Sequence, residues 1–191
     1  MAEPWRFNFL DYQFKRVGEG AGYVDNAVAV FMNLIENRRE GNGQSMRQID
    51  PFWQDGAKEF LKAVIEALIL AGEEVSMDNI RKVIQGLPYA TQEGTPAFPQ
   101  GSFLDATLRT ARARQSQGIR NDMVSNSADD VAHYFLNQFA RPGANRQSAG
   151  ILSTFTGMAQ SFMGGPIREL LCSMSNFAPA EFSRKAAVII V

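Results

Sequence analysis

The sequence predicts a mainly α fold: a helical bundle of about six to seven helices with a short extended segment at each end. Three observations predict it. Apolar residues recur at helical spacing along most of the chain. Capping residues precede these stretches, and Gly or Pro closes them. The two ends break the pattern. Trp5 to Phe14 alternates aromatic with polar residues, and Ala186–Val191 reads as a fully buried strand. Sheet-like ends around a helical body suggest an insertion within a larger α/β protein. The expected organisation is an extended segment over 1–16, an all-α domain over 17–185 and a terminal strand over 186–191.

Each element has its own signal. Gly18-Glu19-Gly20-Ala21-Gly22 is a loop. Tyr23 to Arg39 follows as a helix, with Val24, Val28, Phe31, Leu34 and Ile35 on one stripe. Gly41-Asn42-Gly43 ends it. Asp50-Pro51-Phe52-Trp53 opens the next helix, with Asp50 as cap and Pro51 in the first turn. From Phe60 to Ala71 that helix is apolar nearly all round, interrupted by Lys62 and Glu66, which marks it as central to the bundle. Gly72 stops it. Ser76 caps a short helix carrying Ile80, Val83 and Ile84 on one face, closed by Gly86-Leu87-Pro88.

Tyr89 to Gly101, with Gly94, Pro96, Pro99 and Gly101, is a linker-like break that divides the body in two. Ser102 caps a helix to about Gln117. A long helix from about Val124 to Ala140 places Val124, Ala128, Val131, Phe135 and Phe139 in register. Arg141-Pro142-Gly143 breaks it. Ser148 to Met163 is helical, and Gly164-Gly165-Pro166 leads into a short helix with Ile167, Leu170 and Leu171. Ser175 to Lys185 is irregular.

Composition sets bounds on function. A chain of 191 residues with 45% apolar and 20% charged residues can bury a real core. A net charge of −1 gives no overall field for nucleic acid or anionic membrane, so any such preference must be local. One cysteine, Cys172, rules out a disulfide within the chain and fits a reducing compartment. The longest apolar run, Ala67–Ala71, falls far short of the roughly 20 residues that span a bilayer.

Catalytic and cofactor motifs are weak. The Gly18–Gly22 loop ends in Tyr23-Val24 without the lysine of a phosphate cradle, and its third glycine falls one residue early for a dinucleotide fingerprint. His133, the one histidine, reads as a solvent-facing partner of Asp129. A metal site needs several converging ligands, so no metal or other cofactor is expected. Cys172 reads as a buried small hydrophobe rather than the nucleophile of a Cys172–His133 dyad. The pairs Glu73-Glu74 and Asp129-Asp130 are sequence neighbours, which diverge by about 100° on a helix and cannot form an acid–base pair across a cleft.

The arginines carry the sharpest local signal. Between Lys82 and Lys185 every cation is arginine, and no acid lies between Ala106 and Arg120. Arg109, Arg112, Arg114 and Arg120 form a candidate contact set for DNA or an acidic partner, because the guanidinium forks onto phosphate and carboxylate. The competing reading is an ordinary solvated helix face.

The ordered motifs resemble a known family. Asn8-Phe9-Leu10-Asp11 is close to the Asn-Pro-Leu-Asp that follows a sheet strand in the coupling ATPases of conjugative type IV secretion systems. Phe9 stands where that family usually has proline. Asp50-Pro51-Phe52-Trp53 with Ala57, Val75–Ile80 with Leu87-Pro88, and Ser153-Thr154 with Ile167-Arg168 and Ser173–Phe177 resemble successive helices of the inserted all-α domain. Ala187–Val191 is similar to the strand leading to the Walker B acid. The resemblance implies a substrate-recognition domain without the Walker segments, and so without ATPase activity of its own. It also implies a hexameric parent on the cytoplasmic face of the bacterial inner membrane, with relaxosome or effector proteins, and DNA, as partners. A stand-alone helical adaptor that binds a partner helix is the alternative.

Overall fold

A computed structural model describes residues 6–18, 21–41, 50–90, 95–172 and 175–176. Eight α-helices lie among these residues: α1 (Phe9–Lys15), α2 (Val24–Gly41), α3 (Pro51–Ala71), α4 (Met77–Gln85), α5 (Phe103–Ser116), α6 (Ala128–His133), α7 (Asn145–Met163) and α8 (Gly165–Leu171). The fold is the all-α bundle that the sequence predicts.

Helix α3 is the axis. Every residue from Phe60 to Ala71 is buried except Lys62, and α3 packs on α2, α4, α5, α6 and α7. Its ends follow local chemistry. The Asp50 carboxylate accepts from the Phe52 N–H at 2.9 Å, Pro51 occupies the first turn, and Gly72 adopts φ 78° to close the last. Two small residues set the α3–α7 crossing. A Cβ on Gly56 would lie 2.8 Å from Ile151, and one on Gly150 would lie 2.5 Å from Trp53. Phenylalanines fill the centre: Phe31, Phe60 and Phe155 are fully buried, with Phe60–Phe155 centroids 5.5 Å apart and Phe31–Phe155 6.1 Å apart.

The structure corrects the N-terminal expectation. The described part of the aromatic alternation is not an extended arm throughout, because Phe9–Lys15 is helical. Asn8 caps it by accepting from the Asp11 N–H at 3.3 Å. Phe9 and Leu10 are consecutive yet both buried, which a two-sided arm in solvent would not allow. The aromatic alternation was outweighed by a cap and a short apolar face.

Two further boundaries differ. The linker-like break contains a two-residue antiparallel pair, β1 (Tyr89–Ala90) with β2 (Pro96–Ala97), in register Tyr89 to Ala97. The long helix expected from Val124 starts later. Ser127 and Asp130 form a capping box, so residues 124–126 are loop. After His133 the chain widens into a π-helix over Tyr134–Phe139, closed by the Ala140 N–H donating to the Phe135 carbonyl five residues back. The Ser148 hydroxyl donates to the Phe139 carbonyl that the widened turn leaves over.

The start and finish of the described helical body lie side by side. Arg6 N–H donates to Asn176 Oδ1 at 2.7 Å, and Asn176 N–H donates to the Arg6 carbonyl at 3.1 Å. Phe7 N–H donates to the Leu170 carbonyl, and Asn8 N–H to Ser175 Oγ. The expected strand over 186–191 lies outside the described residues.

Candidate functional site

The arginine flank divides on inspection. Arg109 and Arg112 face solvent from α5, but each holds an acid. Arg109 donates to Asp105 one turn back at 2.6 Å, and Arg112 donates across to Asp129 at 2.7 Å, tying α5 to α6. The acid-free interval 106–120 therefore hides two acids that flank it in space. Arg114 turns inward. Its guanidinium packs over Gly72, where a Cβ would meet Cζ at 3.0 Å, and its Nε is buried with no acceptor among the described residues. A cation against the last turn of α3 complements the carbonyl end of that helix. Arg120 is exposed in the loop after α5. The structure thus brings Arg109 and Arg112 together on one surface, with Arg114 serving the α3 terminus.

His133 is exposed as expected, but Asp129 pairs with Arg112 rather than with it. Cys172 is buried beyond the end of α8, and burial pushes its thiol up to about 12. A thiol so held is protonated near neutrality, the opposite of an activated nucleophile. Beside it, Arg168 grips Asp78 through both carboxylate oxygens at 2.7 and 2.8 Å, joining α8 to the first turn of α4. That hydrogen bonding holds the Asp78 carboxyl below its ordinary range.

A second polar centre lies on α3. Glu66 is 2% exposed, inside the helix stretch that is otherwise apolar. Its Oε2 accepts from the Asn126 side-chain amide at 2.9 Å, and no other hydrogen-bond donor reaches the carboxylate among the described residues. Burial pushes its carboxyl above the usual range, opposed by the Asn126 hydrogen bond and by Lys62 one turn earlier. Lys62 is itself committed to Asp25 on α2 at 2.7 Å. Glu66 lines a pocket of about 320 Å³ together with Glu59, Lys62, Asn126, Asp130 and Tyr134. The pocket is walled on one side by α3 and on the other by α6 and the π-helix.

In the sequence Glu66 is an interruption of an apolar run. The signal for more was present, since a lone acid on an all-round apolar helix must find compensation. Asn126 and Tyr134 carried no such signal, because their approach depends on the loop and the π turn. No group of three or more His, Cys, Asp or Glu able to hold a metal ion occurs among the described residues. No helix among them is long and apolar enough to cross a membrane. Comparison with protein-family models, curated proteins and solved structures finds no match to this chain.

Proposed function

We propose that this chain is the substrate-recognition all-α domain of a type IV secretion coupling ATPase. In this reading it has no ATPase activity of its own, and it reads a relaxosome or effector protein, with DNA as a further partner. One observation carries the reading: residues 6 and 176 are hydrogen-bonded neighbours. A helical body whose entry and exit touch can be set into a loop of another fold without disturbing it. The residues of the ordered motifs also hold structural posts. Asn8 is fully buried and donates to the Glu74 carboxylate and the Val75 carbonyl, which joins the first motif to the third.

The contact surface in this reading is the exposed flank bearing Arg109, Arg112 and Arg120. The test titrates single- and double-stranded DNA at two salt concentrations. Phosphate contact predicts affinity that falls steeply with salt, with a slope reduced by about one for each arginine removed. No binding, or binding unchanged in an Arg109→Ala/Arg112→Ala/Arg120→Ala triple variant, would take the arginine flank out of the reading. Parentage is tested separately. The encoding frame should carry a Gly-Lys-Thr/Ser loop upstream and an acidic pair downstream.

A second reading has its own support. A cleft of about 400 Å³ between α2 and α3 is lined by Val28, Ala29 and Met32 and rimmed by Asp25, Lys58 and Lys62. Such a groove suits an adaptor that takes a partner helix. Ala29→Trp would fill it. Loss of partner binding in that variant, with the arginine variants unaffected, would favour the adaptor.

A further inference from the structure

We propose that the pocket between α3 and the α6–π segment binds an organic cation, an ammonium or guanidinium group, on the Glu66 carboxylate, with Glu59 and Asp130 forming its anionic rim. The inference does not depend on the parentage proposed above.

Charge in the pocket is out of balance. Three carboxylates, Glu59, Glu66 and Asp130, line the pocket with one ammonium, Lys62, and one imidazole, His133. Lys62 points its charge at a fourth carboxylate, Asp25, on the far side. Asp130 is held by Ser127 in the α6 capping box, so its charge stays fixed at the rim. Glu66 is the group left over. It is almost wholly buried, one oxygen is held by Asn126, and the other meets no donor among the described residues. That oxygen is not sealed in protein, and Glu66 lines the pocket. A buried carboxylate calls for a compensating positive charge, and the one ammonium near Glu66, Lys62, makes its hydrogen bond to Asp25 instead.

The pocket also fits the class of ligand. About 320 Å³ lies at the small end of ligand sites and suits a single cationic side chain or a small amine. Tyr134 adds an aromatic wall, favourable to a cation. It is the first residue of the π-helix, a distortion that recurs at functional sites. A carboxylate paired with an amide acceptor-donor set suits a ligand that brings its charge on hydrogen-bonding nitrogen.

The test uses the full chain and side-chain amide NMR of Asn126. The probes are n-butylguanidinium, n-butylammonium, the peptide acetyl-Gly-Arg-Gly-amide and, as a neutral control, n-butanol at matched ionic strength. The expected result is a saturable shift of the Asn126 amide with at least one of the cations, at dissociation constants of roughly 1–10 mM. Glu66→Gln, which keeps shape and removes charge, should weaken binding at least ~10-fold. The exposed Glu59→Gln, which leaves the core untouched, should weaken it about 3-fold and guards against a folding defect in the first variant. Tighter binding of the peptide than of the free cations assigns the ligand to a basic side chain of a polypeptide. The reverse order assigns it to a free amine or guanidine. A response that does not saturate, that n-butanol reproduces, or that persists unchanged in both variants overturns the proposal.

Discussion

Two carboxylates on neighbouring helices, Asp78 and Glu66, meet opposite fates. Asp78 sits half-exposed at the start of α4, and Arg168 of α8 holds both its oxygens. Its carboxyl is lowered. Glu66 sits inside α3, held by one neutral amide, and its carboxyl is raised. Solvent and a guanidinium make the first an ordinary clasp between two helices. Burial with a neutral partner makes the second a charge the fold tolerates rather than uses. A raised carboxyl in a pocket is therefore the better pointer to function, and a lowered one on a seam the better pointer to architecture.

Four measurements test these different roles. The largest effect is expected from Asn126→Leu, which removes the one hydrogen-bond donor to Glu66 while keeping the branched shape of the side chain. It should destabilise by about 2 kcal/mol at neutral pH, read by urea unfolding. The loss should shrink on acidification, because a protonated Glu66 no longer needs the amide. If the loss is the same at pH 4 and pH 7, Glu66 is not the strained partner.

Arg168→Ala comes next, at about 1 kcal/mol, since its pair is half-exposed and screened. The sign of its pH dependence is opposite. Asp78 is lowered in the fold, so the clasp contributes above the unfolded carboxyl range and fades as pH falls through the lowered value. Arg168→Ala should cost little below that range. Arg168→Lys, which cannot fork, should recover only part of the loss.

Glu66→Gln is expected to hold or slightly raise stability at pH 7. A group raised in the fold favours folding below its unfolded pKa and loses that contribution as pH climbs through the raised value. The variant should flatten that slope, and a clear fall in stability at neutral pH would show that the ionised carboxylate is structurally required. The smallest effect concerns Cys172 beside the Asp78 clasp. With its thiol pushed up to about 12, labelling by a disulfide reagent at pH 8 should proceed only as fast as the protein opens. Rapid labelling of the native chain would place the thiol at the surface.

Much of the fold was legible from local chemistry. Asp50, Ser76 and Ser102 cap α3, α4 and α5 as their spacing predicts, and Gly72 takes the positive φ that ends α3. These signals act within a few residues, so sequence alone shows them. Helix α1 was missed because its aromatic alternation imitates a strand, though Asn8 followed by Asp11 carries a cap signature. The π-helix was missed for a different reason. Val131, Phe135 and Phe139 keep an ordinary spacing of four, and the extra residue per turn shows only in backbone bonding. The candidate sites were least legible. Asp129 neutralises Arg112 across 17 positions, and Asn126 reaches Glu66 across 60, distances that periodicity does not span.

The pairing of residue 6 with residue 176 has a practical corollary. Joining the two through a few glycines and opening the chain at Gly118, an exposed turn position with φ 78° and open space where a Cβ would stand, would rearrange the order of helices without moving any of them. A permuted protein of that kind should melt close to the original, and its new ends would emerge in the α5–α6 connection, free to carry a label or a tether.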